Sequence, residues 1–238
     1  IGGWVLKYFV TFLTKSGAAA AATDGYFTGF ITSSVEPIVL MLIYMTVTAL
    51  VIYLGVNKGI EKFSKVLMPI LILLVIGIAI FSITISYTDA DGVTRTGLDG
   101  LKIYLIPNFE GMTVKRFFSV LMDAMGQQFY SLSVAMGIMI AYGSYVKDEE
   151  NLVKSINHIE IFDTLVAFLA GIMILPAVFA FQGRAGMEAS GPSLMFVSLP
   201  KVFAEMGGIG SIVGCLFFAM VLFAALTSSI SIMEAVVS

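Results

Sequence analysis

Three acidic side chains, Asp123, Asp163 and Glu234, sit inside long apolar runs of the sequence. In a bilayer-spanning run an ionised group costs about 2.5–3.5 kcal/mol at the centre, and such groups mostly face a cavity or a partner. Each acid therefore marks either a working site or a group satisfied at the interface or between helices. The stretch Gly126-Gln127-Gln128-Phe129-Tyr130-Ser131-Leu132-Ser133-Val134-Ala135-Met136-Gly137 crowds small and hydroxyl residues where a membrane helix is ordinarily aliphatic. It reads either as a small-residue packing face or as a break in the helix. A break at depth is tolerated only where it lines a cavity, and its freed carbonyls there coordinate cations. Ala224, Thr227, Ser228 and Ser231 recur at i, i+3, i+4 and i+7 and so share one helical stripe. Two hydroxyls and a backbone carbonyl suit a hard, weakly held monovalent cation; the alternative is a packing seam. The single histidine, His158, stands beside charged residues and reads as interfacial, which leaves a Ser–His nucleophilic pair at depth without support. The single cysteine, Cys215, excludes an intramolecular disulfide and an iron–sulfur or structural zinc centre. No enzyme is expected.

The elements that must hold these residues follow from hydropathy. The 238 residues are 58% apolar and 12% charged, whereas a soluble domain carries about 25% charged residues. Several apolar runs reach the length of about 20 residues that a span needs. A soluble globular enzyme is excluded, and an all-α integral membrane domain with the lipid bilayer as partner is predicted. With 13 Lys and Arg against 16 Asp and Glu, net −3, and no basic run, nucleic acid is not a predicted partner. Residues 1–13 read as the second half of a helix. Full spans are predicted over 35–54, 66–87, 116–145, 158–181 and 209–238, the third of these broken near 131–137. Glu36-Pro37 stands at a helix start, where proline is tolerated. The aliphatic run 66–87 offers no chemistry. Residues 14–34, 88–115 and 182–209 read as connections, the last with a short helix after Pro200. Lys58, Lys62 and Lys65 form the densest basic cluster and place their loop in the cytoplasm. Alternation then puts 146–157 inside and the other three connections outside. The chain opens without Met inside one apolar run and closes inside another, so it is expected to be a piece of a longer protein.

Residues 126–137, followed by Ala141-Tyr142-Gly143-Ser144-Tyr145, resemble the sixth helix of the neurotransmitter:sodium symporters, the LeuT-type transporters. Leu226-Thr227-Ser228-Ser229-Ile230-Ser231-Ile232-Met233-Glu234 resembles their eighth helix, and Asn57-Lys58-Gly59-Ile60-Glu61-Lys62-Phe63 their loop between helices four and five. The order and intervals match as well. The resemblance implies a LeuT-type inverted-repeat fold, incomplete here: five spans and a half-span, from late helix three to helix eight. It implies sodium-coupled symport of an amino acid across the plasma membrane by alternating access. One sodium ion is then held by the Ala224 carbonyl and the Thr227 and Ser228 hydroxyls. The other is held by Ser131 and, aligning on Ala170-Gly171, by Asp163, where many relatives carry asparagine. The implied substrate pocket uses Phe129, Tyr130, Ser133, Val134, Met136, Ser228 and Ile232, with Gln127 near the outer gate. Ala167 falls where chloride-dependent relatives carry serine, so chloride is not expected as a cofactor. Flexible Met136 beside Ala135 points to a hydrophobic or aromatic L-amino acid. The short connection 14–34, without a cysteine pair, points to a prokaryotic source and an inner-membrane location. The rival readings are proton coupling through Asp163 or Glu234, and a transport-inactive sensor or assembly subunit of the same fold.

Overall fold

The computed structural model describes residues 1–14, 16–53, 61–88, 92–146, 151–187 and 191–237, side chains at 61–64 and 67 excepted. Lys58 and most of the 57–63 motif, like Asp89, Asp91 and the charged run 147–150, lie outside the described residues.

The described chain is mostly helical. Helix α1 (Gly2–Phe12) buries Val5, Tyr8 and Phe12 on one stripe, and it packs between α4 (Glu36–Tyr53) and α11 (Gly210–Val237). Helix α5 (Glu61–Thr84) lies against α9 (Leu152–Met187). Among the described residues, α4, α9 and the stretch Gly207–Val237 are long and apolar enough to cross a membrane, and α5 offers the shorter apolar run Met68–Thr84. Leu42, Leu50, Leu73 and Ile80 on α4 and α5 are more than half exposed. A soluble protein would cover such a surface, whereas hydrocarbon solvates it. Prolines interrupt the backbone ladder inside two helices, Pro69 in α5 and Pro176 in α9.

The connections hold regular elements of their own. The Ala-rich run forms helix α2 (Gly17–Ala22), as alanine's helix propensity dictates, and α3 (Tyr26–Thr32) follows. Strands β1 (Ser86–Thr88) and β2 (Thr94–Thr96) pair antiparallel, Tyr87 opposite Arg95. Helix α6 (Gly97–Leu105) is capped by Thr96, whose hydroxyl accepts from the Asp99 amide at 3.2 Å and donates to the Asp99 carboxylate at 2.7 Å. Its Gly100 sits on α9, where a Cβ would come within 2.8 Å of the Pro176 backbone. Helix α9 begins at Leu152 and runs to Met187 across a kink at Gly183 (φ 65°). His158 is therefore inside that helix, exposed, rather than at its start. A π turn (Leu194–Ser198) leads into α10 (Leu199–Glu205).

The core gathers aromatic rings where α1, α10, α11 and the π turn meet. Phe218 lies 5.1 Å from Tyr8, 5.2 Å from Phe12 and 5.2 Å from Phe217, ring centre to ring centre. The Tyr8 hydroxyl donates to the Phe196 carbonyl at 2.7 Å, which satisfies the one polar atom the ring takes into the core.

Candidate functional site

Helix α7 (Val114–Ser131) stops at Ser131, and the chain becomes helical again only at α8 (Ile138–Ser144). Between them Ser133 and Ala135 hold φ of 56° and 65°, and Gly137 caps α8 at 79°. Glycine adopts this region freely, while a side chain there costs about 1–2 kcal/mol. Irregular turns replace the helical ladder: Val134 N donates to Phe129 O at 2.9 Å and Ser133 N to Tyr130 O at 3.1 Å.

The interruption opens onto a cavity of about 820 Å³. Gln127, Tyr130, Ser131, Ser133 and Met136 line it from the α7–α8 segment, Asp163 from α9, and Thr227, Ser228 and Ile232 from α11. Of the other residues that the sequence marks for the site, Phe129, Val134 and Ala224 do not line the cavity. Ala224 touches it through its neighbours instead. Its carbonyl accepts the Thr227 hydroxyl at 2.9 Å and the Ser228 hydroxyl at 3.0 Å, which turns both protons toward the helix.

Across the cavity the Ser131 hydroxyl donates to one Asp163 oxygen at 2.6 Å, and the Gln128 amide to the other at 3.3 Å. The carboxylate thus joins the end of α7 to α9. Among the described residues, no group of three His, Cys, Asp or Glu side chains is placed to hold a metal ion. The available donors are hydroxyls, carbonyls and one carboxylate, a set for a hard cation.

Residues 29–238 match the profile of the sodium:neurotransmitter symporter family. The chain belongs to that family. It is 36% identical over 240 residues to the uncharacterized sodium-dependent transporter YhdH of Bacillus subtilis, and 33% identical over 245 residues to an uncharacterized sodium-dependent transporter of Haemophilus influenzae. Both alignments take in 100% of this chain and 49% and 50% of the relative, so the chain spans about half the length of these curated relatives. A sodium-dependent dopamine transporter of Caenorhabditis elegans is 30% identical over 203 residues, covering 81% of this chain and 30% of its own.

The cavity of this symporter-family chain also has walls that sequence reasoning did not single out for it. Met68 from α5, Ile159 from α9 and Tyr142 from α8 line it. Met68 and Ile159 are apolar residues in apolar surroundings and carry no signal. Tyr142 bonds to Ser231, the last member of the α11 stripe, at 2.7 Å. Two of the three buried-acid candidates lie off the cavity. Glu234 is buried and accepts from the Tyr145 hydroxyl at 2.7 Å, an interhelical bond. Asp123 is exposed on α7.

Proposed function

We propose that the protein is a sodium-coupled symporter that carries an amino acid through a membrane by alternating access. One observation carries this reading: the helix interruption at 132–137 and the oxygen-rich stripe of α11 face the same cavity. In the proposed mechanism one sodium ion binds at the Ala224 carbonyl and the Thr227 and Ser228 hydroxyls. Both hydroxyl protons already point to the Ala224 carbonyl, so their lone pairs are available outward. The second ion enters between Ser131 and Asp163, where the carboxylate supplies the compensating charge that Ala167 cannot recruit through chloride. Substrate then occupies the space among Tyr130, Ser133, Met136, Ser228 and Ile232, with Phe129 and Val134 reached as the bundle closes. The soft, adaptable wall of Met136 and Ile232 fits a hydrophobic or aromatic side chain. The bacterial relatives support an inner-membrane location. Binding two ions beside the substrate makes the loaded state the one that moves, and the bundle rocks about the fixed site.

The test is uptake of a panel of L-amino acids by the full-length protein in proteoliposomes, with and without Thr227→Ala and Ser228→Ala combined. Sodium-driven uptake that falls about a hundredfold in the double variant is expected, since two ion contacts of roughly 1.4 kcal/mol each are lost. Uptake that ignores sodium and follows an imposed pH gradient instead would replace sodium with proton coupling through Asp163. Tight substrate binding with no uptake would make the protein a sensor.

A further inference from the structure

Helix α11 carries a second polar face. Ser229 follows Ser228 by one residue and so lies about 100° around the helix from it, turned away from the cavity and toward α4. There the Tyr44 hydroxyl donates to Ser229 Oγ at 3.0 Å, and Thr48 Oγ1 lies 3.1 Å from the same oxygen. Thr48 also donates to the Tyr44 carbonyl one turn back on its own helix, at 3.1 Å. Tyr44 and Thr48 are both buried, Thr48 completely. The Tyr44 ring reaches this position by crossing the start of α1 at Gly2, where a Cβ would collide with it. At Gly3 a Cβ would come within 2.9 Å of the α4 backbone at Met41. Three helices therefore converge on one knot of three hydroxyls.

Apolar helices in an apolar solvent have no strong preference for one rotation about their axes, because lipid solvates their side chains as well as a neighbour does. Directional hydrogen bonds do impose one. Ser229 is the residue next to Ser228 and two from Thr227, so the rotation it sets is the rotation at which those two hydroxyls meet the cavity. We infer that Tyr44, Thr48 and Ser229 are positioning residues for the ion site on the neighbouring face of α11, acting through the setting of that helix and not by touching ion or substrate. The inference rests on the sodium-site reading above, and it adds α4 to the parts of the molecule that tune sodium affinity.

The test is the sodium concentration for half-maximal uptake in the full-length protein carrying Tyr44→Phe, Ser229→Ala, Ser229→Thr or the pair Tyr44→Phe with Ser229→Ala. Tyr44→Phe keeps the ring in its slot and deletes only the donor. Each of Tyr44→Phe and Ser229→Ala is expected to raise that concentration about fivefold, the size of one lost neutral hydrogen bond. The maximal rate at saturating sodium should change less than twofold. Ser229→Thr keeps the hydroxyl and should restore the wild-type value. The double variant should be no worse than Ser229→Ala alone, because that change already removes the acceptor of the Tyr44 hydroxyl. A bond that merely holds the fold together would instead lower the unfolding midpoint and the yield while leaving sodium affinity alone. Where Tyr44→Phe does not fold, Ser229→Ala decides, since it removes a single atom from a helix that accepts alanine. A wild-type protein with sodium-driven uptake and an unchanged half-maximal concentration in Ser229→Ala overturns the positioning role and leaves the symporter standing. A wild-type protein indifferent to sodium overturns both.

Discussion

The aromatic junction and the α7–α8 interruption are built on opposite principles. At the junction Tyr8, Phe12, Phe196, Phe217 and Phe218 are each at most 2% exposed, and the rings meet edge to face, tilted or stacked. At the interruption, helix α7 buries no residue at all, and two residues that are not glycine hold left-handed backbone. Packing fixes the first region in one arrangement, because any shift opens voids among close-packed rings. The second carries local backbone strain and, within a chain that spans half the length of its relatives, little packing around α7.

Truncation should separate the two regions most sharply. Phe218→Ala is expected to cost about 3–5 kcal/mol, the range for a large ring removed from a close-packed core. Met136→Ala, half-exposed in the cavity wall, should stay within about 0.5 kcal/mol. Thermal unfolding in detergent compares them, and equal losses would erase the distinction. A smaller effect of opposite sign is expected at the strained backbone. Ala135→Gly removes a left-handed alanine, so the unfolding midpoint should rise by the equivalent of about 1 kcal/mol or less, offset in part by the flexibility glycine adds to the unfolded chain. A fall in the midpoint would mean that the interruption is not under strain. The smallest effect lies at the tie between the α2–α3 turn and α10, where Lys201 donates to Asp24 at 2.6 Å. The ammonium holds the Asp24 carboxyl below its ordinary value. A carboxyl depressed in this way adds stability that is complete above the unfolded value of about 3.9 and fades as pH falls through the lowered folded value. Asp24→Asn should therefore lower the midpoint slightly at pH 7, and by progressively less as pH falls below about 3.9 toward the lowered Asp24 value. The exposed pair makes only a marginal contribution.

The helical membrane fold was legible in the sequence because length and hydropathy alone set it: runs such as 35–54 and 209–238 have no other stable home. The grouping of Ala224, Thr227, Ser228 and Ser231 was legible because helical periodicity places i, i+3, i+4 and i+7 together whatever the tertiary structure. What the connections do was not. Residues 18–22 are too short and too uniformly alanine to show a period, and 97–105 are short as well, their helix depending on contacts such as Gly100 on α9 and the Thr96 cap. Met68 and Ile159 were illegible for a different reason: an apolar residue in an apolar span carries no mark of the wall it faces. Tyr44 shares that anonymity, and only the packed structure shows its hydroxyl meeting Ser229.

Pro176 has a mechanical meaning beyond its place in α9. A proline removes the N–H that would tie that point to the carbonyl four residues earlier, which makes it a notch in an otherwise stiff rod. Helix α6 is seated on that notch through Gly100, and its nine residues extend about 13 Å. Gly100 is the fourth of those residues, which leaves an arm of about 7.5 Å to Leu105, so a flexure of about 10° at the notch would sweep the far end of α6 through about 1.3 Å. So docked, α6 would turn any bend at Pro176 into a displacement of its own far end.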